Sequence, residues 1–149
     1  MATDDVQQSF PGLQATSFRI TSPPDTAYNC VAWAVEDASR WWDPADEHGY
    51  HWPAGVRREL SLTNLIAALA TMGFEECENA ALELGYQKAA IYSDTHGWPT
   101  HVARQLASGA WTSKLGVSED IEHATLEGLE GAIYGRVVRV LKRGIADRQ

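Results

Sequence analysis

From residue 61 the chain reads Ser61-Leu62-Thr63-Asn64-Leu65-Ile66-Ala67-Ala68-Leu69-Ala70-Thr71-Met72-Gly73. Its apolar positions recur at three- and four-residue steps, which predicts an amphipathic helix. Ser61 stands where an N-cap accepts an orphan backbone N–H, and Gly73 where a left-handed residue ends the helix. An earlier helix is predicted from the spacing of Cys30, Trp33, Ala34 and Ala38, which sets Cys30 in the first turn on the apolar face. After residue 84 the pattern changes to β-prone runs at 88–92, 101–106, 110–115 and 136–141, which predict antiparallel strands. Ala107-Ser108-Gly109 joins the middle two as a hairpin connection, so His101 opens one strand and Ser113 lies near the end of its partner. Residues 119–131 read as a loop with a short helix.

Breakers divide the rest. Pro11-Gly12 and Pro23-Pro24 make residues 1–27 an extended, irregular lead around a short run at 16–20. Residues 28–84 are expected to be mainly helical, interrupted at 40–58 by a loop rich in aromatics, with Trp41, Trp42, Tyr50 and Trp52. Residues 85–149 are expected to be mainly antiparallel sheet. The predicted class is α+β, N-terminal helices packed on a C-terminal sheet in a single domain spanning 1–149.

Composition narrows the function. The 149 residues are 44% hydrophobic and 21% charged, ordinary globular usage. A formal charge of −8 disfavours nucleic acid, whose binding relies on Lys and Arg neutralising phosphates. The basic cluster Arg136, Arg139, Lys142, Arg143 and Arg148 reads as a solvated strand face and tail. No stretch approaches a membrane span or a signal peptide, and two cysteines imply no disulfide framework, so cytoplasmic residence and no membrane partner are expected.

The chemistry centres on Cys30. Backbone N–H groups in a first helical turn lack intrahelical partners, favour a thiolate, and offer donors to an oxyanion. His101 is the candidate base, and Asn29 or Thr26 could add an oxyanion donor. A helix opening on Cys, followed by a sheet with His on an early strand, resembles the papain-like superfamily and its small NlpC/P60 and CHAP-like branches. Asn29-Cys30, Thr100-His101, Ser113-Lys114-Leu115-Gly116 and His123 resemble, in that order, the motifs of bacterial papain-like proteins of mostly unknown substrate. The resemblance implies a papain-like fold and a thiol hydrolase that attacks an amide or peptide bond, with a peptide or other amide-bearing substrate, proteins among them. It implies a third residue orienting the imidazole, for which Ser113 and Asp120 both stand open, Glu119 and His123 being further alternatives. The glutamine that usually completes a papain-like oxyanion hole has no counterpart upstream.

Other residues carry plainer readings. Cys77, among Glu75, Glu76 and Glu78, reads as structural. His96 lies in a breaker-rich loop, close enough in sequence to His101 to line the same cleft, as does Trp98. His48 and His51 with Asp43, Asp46 and Glu47 lack a metal-ligand signature, so neither metal nor cofactor is expected. The rival function is a non-catalytic papain-like module that binds a protein partner through the aromatic loop.

Overall fold

Ala89, Ala90, Ile91 and Tyr92 are all fully buried, alternate residues facing opposite sides, and the fold is arranged around this strand. The computed structural model describes residues 2–45 and 48–145. Among them are the helices α1 (Ala2–Ser9), α2 (Cys30–Ala34) and α3 (Leu62–Ala70). The strands are β1 (Phe18–Ser22), β2 (Glu75–Cys77), β3 (Tyr86–Ser93), β4 (Pro99–Gln105), β5 (Trp111–Lys114), β6 (Asp120–His123) and β7 (Arg136–Gly144). They form one antiparallel sheet in the order β1-β6-β5-β4-β3-β7-β2, so the protein is α+β with few helices.

Each face of the sheet carries its own core. Ala89, Ile91, Val102 and Leu141 pack under α2, α3, Trp42, Trp52 and Phe74. Ala90, Tyr92, Ala103, Trp111, Leu115 and Ile121 pack on the other side with Val6, Phe10 and Leu13. Burying one such side chain contributes about 1.5–3 kcal/mol, so both layers matter to stability. Alternation along the strands places His101 with Ala103, Ser113 with Trp111 and Leu115, and His123 with Ile121, all on the second face.

The helix from residue 61 forms as its periodicity predicts. Ser61 Oγ accepts the Asn64 N–H at 3.0 Å, and Gly73 follows the helix with φ +91°. The expected extended lead at 1–27 is corrected: it contains α1 and the short 3-10 helix Pro11–Gln14, because Val6, Phe10 and Leu13 close the second core. The run at 16–20 instead enters β1, which pairs with β6 at one sheet edge. The 28–84 region is less helical than expected and contributes β2, paired with β7 at the other edge. Residues 120–123, read as loop, form β6. Arg148 of the basic cluster, and Asp46 and Glu47 of the weighed metal set, lie outside the described residues.

The helix carrying Cys30 is only five residues long and stops before Ala38. Glu36 takes φ 65°, the Asp37 N–H reaches back to the Ala32 carbonyl at 2.8 Å, and the Glu36 N–H reaches Trp33 at 3.1 Å. These are the two hydrogen bonds of a Schellman stop. Glu36 holds the left-handed conformation without being glycine, and Gln87 Nε2 donates to its carboxylate at 2.6 Å.

Candidate active site

Asn29 sets the position of Cys30. Its Oδ1 accepts the Ala32 N–H at 3.2 Å, capping α2, and also the Trp42 N–H at 3.1 Å, while its Nδ2 donates to the Trp42 carbonyl at 2.7 Å. The side chain therefore staples the helix start to the aromatic loop. One of its two amide protons is taken by the Trp42 carbonyl, which leaves the other for the expected role as an oxyanion donor.

The segment entering α2 is held from below. Lys114 is fully buried and donates to the backbone carbonyls of Asp25, Gly116 and Ser118 at 2.7, 3.0 and 2.5 Å. Asp120, opposite Lys114 on β6, accepts from Tyr28 Oη at 2.6 Å and Ser22 Oγ at 2.8 Å. Burial, reinforced by Asp120, pushes the Tyr28 phenol up and keeps it a donor. Asp120 thus anchors the residues before Cys30, and its hydrogen bonds run to Tyr28 and Ser22, whereas His101 bonds Ser113.

Cys30 and His101 line one cavity of about 180 Å³, with Trp42, Trp52, Leu65 and Pro99 among its walls. In the β4–β5 pairing the ladder includes only Arg104 with Thr112 and Gln105 with Trp111. Beyond it a side-chain bridge takes over, His101 Nε2 to Ser113 Oγ at 2.9 Å. Ser113 Oγ also meets His123 Nε2 at 2.8 Å, and His123 Nδ1 meets the Thr125 carbonyl at 2.8 Å. Tyr134 stacks flat on His101, ring centroids 4.2 Å apart and planes 7° from parallel. Tyr92 meets the same imidazole edge-on at 5.3 Å, and Phe10 of the N-terminal layer packs on Tyr134 at 4.9 Å.

The resting electrostatics are neutral. Burial pushes the Cys30 thiol up from its ordinary value, opposed by the backbone amides of Val102, Val31 and Cys30 itself. Burial, with a smaller contribution from His123, holds His101 well below the usual imidazole range, and burial lowers His123 as well. His101 Nδ1 is buried and makes no hydrogen bond among the described residues. The cavity is thus lined by a cysteine whose thiol burial holds neutral and by a histidine whose imidazole is neutral, with one nitrogen unbonded among the described residues.

The remaining sequence candidates lie apart. Thr26 is exposed in the turn before α2, and Trp98 is 52% exposed; neither lines the Cys30 cavity. His96 is exposed on the β3–β4 turn and is likewise not among its walls. Cys77 is a free, half-buried thiol on β2, and Cys30 is also free. Tyr134 escaped the sequence reading, because a stacking partner 33 positions away leaves no local signal. Among the described residues no group of three or more His, Cys, Asp or Glu gathers to hold a metal, and no helix is long and apolar enough to cross a membrane.

Fold and site together define an α+β protein in which a cysteine and a triply braced histidine share one small, aromatic-walled cavity. A family model described as a domain of unknown function, DUF7689, matches residues 19–142, and the chain belongs to that family. That span takes in Cys30, His101, Ser113, His123 and Tyr134 and leaves out α1. No curated protein and no solved structure matches the chain.

Proposed function

We propose that this protein is a papain-like thiol hydrolase acting on an amide or peptide bond. The observation that carries the reading is the shared cavity, lined by Cys30 and by His101, whose imidazole is held by Ser113 and stacked by Tyr134. Cys30 Sγ attacks the carbonyl carbon while its proton passes to His101 Nδ1. The tetrahedral intermediate collapses as that proton goes to the leaving amine, giving an acyl-thioester and free amine, and water then releases the acid. Backbone amides at the start of α2 serve as oxyanion donors, with the Asn29 amide proton that Trp42 does not take as a further one. Tyr134 stacked on His101 favours the transient imidazolium.

The walls of the cavity suit an apolar acyl group, and the net charge of −8 argues against a polyanionic substrate. The test uses an activated ester, p-nitrophenyl acetate, with detection of released nitrophenolate. The expected result is a burst of about one equivalent per chain, as acyl-enzymes give, lost in Cys30→Ala. A burst that survives this substitution, or no release above buffer, overturns the reading and leaves the aromatic loop as a binding surface.

A further inference from the structure

The chain of contacts behind His101 has a direction. Thr125 presents a carbonyl oxygen, which can only accept, so the 2.8 Å contact requires a proton on His123 Nδ1. A neutral His123 then has a bare Nε2, and burial keeps it neutral. Ser113 has one hydroxyl proton, and the 2.8 Å contact with that bare nitrogen uses it. Its oxygen is then left as the acceptor for His101 Nε2 at 2.9 Å.

The reverse order fails at one end. If Ser113 donated to His101, two lone pairs would face each other across 2.8 Å at His123, and His101 would carry its proton on Nδ1, where no described group accepts it. A buried unpaired N–H is among the rarest features of native proteins.

We propose that His123 is a positioning residue: with its proton fixed by the Thr125 carbonyl, it turns the Ser113 hydroxyl and thereby holds His101 as the Nε2–H tautomer with Nδ1 free to act as base. The proposal rests on the thiol-hydrolase reading for its catalytic meaning. When Cys30 gives its proton to Nδ1, the imidazolium keeps its Nε2 proton donated to Ser113, so no other hydrogen bond must be remade. A serine, a weak orienter alone, becomes a directional one because a second imidazole consumes its only proton.

Imidazole 15N–1H NMR of the unsubstituted protein at pH 7.5 reads both tautomers directly. His101 is expected as Nε2–H and His123 as Nδ1–H; His101 found as Nδ1–H overturns the proposal without any variant. In His123→Phe the Ser113 proton is released, and His101 is expected to shift toward Nδ1–H while acylation by p-nitrophenyl acetate slows at least about a hundredfold. His123→Gln, whose side-chain carbonyl can still accept from Ser113, is expected to recover part of both losses. A folded His123→Phe with unchanged tautomer and acylation rate also overturns it. If the tautomers are as stated but the unsubstituted protein gives no burst, the hydrolase reading fails and the directional array stands; a burst with the opposite tautomer does the reverse.

Discussion

At the residue scale the unusual property of Cys30 is that its surroundings oppose the thiolate that its place in the chain was expected to favour. A five-residue helix brings few aligned dipoles, and burial outweighs the backbone amides near the sulfur. Iodoacetamide alkylation of Cys30 is therefore expected to be slow at neutral pH and to rise with a midpoint above the ordinary 9.0. A rate already maximal at pH 6 would indicate a preformed thiolate–imidazolium pair and contradict this. Asn29 gives a second test: Asn29→Ala removes a cap and strands two backbone groups of Trp42, a cost of roughly 2–4 kcal/mol read by urea unfolding. An unchanged midpoint would show that the staple contributes little. That Asn29 precedes Cys30 is plain in the sequence, but its commitment to Trp42, 13 residues on, is a matter of tertiary placement.

At the scale of elements, legibility followed the density of apolar side chains. The helix at Leu62–Ala70 and the strands β3, β4 and β7 announce themselves because packing needs their apolar side chains, and β5 does so through Trp111, Thr112 and the flanking Leu115. Strand β6 does not, since three of its four residues, Asp120, Glu122 and His123, are polar. Two of them are fully buried because they serve hydrogen-bond networks, and polar residues placed for that reason imitate a loop. α1 was hidden for another reason: Val6 and Phe10, one helical turn apart, are too few to set a period. Yet Phe10 reaches the site through Tyr134. Phe10→Ala is expected to cost about 3–5 kcal/mol in urea unfolding and to slow acylation of Cys30 by loosening the stacked tyrosine. Loss of stability with unchanged acylation would confine Phe10 to a covering role.

At the scale of the whole molecule, a pair of neutral buried imidazoles makes the fold sensitive to acid. His101 and His123 both titrate below the ordinary 6.5 when folded. Above that value neither folded nor unfolded chain binds the proton, and their contribution is intact. As pH falls from about 6.5 toward the folded values, only the unfolded chain takes up protons, and stability is lost. The urea midpoint is expected to hold from pH 8 to 7 and to fall between 6.5 and 5, more gently in a His101→Gln/His123→Gln double variant. Equal slopes in the two proteins would contradict burial of neutral histidines.

The overall class, the cysteine and its histidine were open to sequence reasoning because each sits in a locally patterned element. Of the bracing, Ser113 was within reach through the hairpin register, but its choice over Asp120, the placing of His123 behind it and the stacking of Tyr134 on His101 depend on strands laid side by side. The central claim is that Cys30 is the nucleophile and His101 its base, and its most direct test is the location of the acyl group. After brief reaction with p-nitrophenyl acetate and an acid quench, peptide mass spectrometry should find acetyl on Cys30 and not Cys77, with the Cys30 yield reduced at least about a hundredfold in His101→Gln. Acetylation confined to Cys77, or equal labelling of Cys30 in the two proteins, would contradict the account.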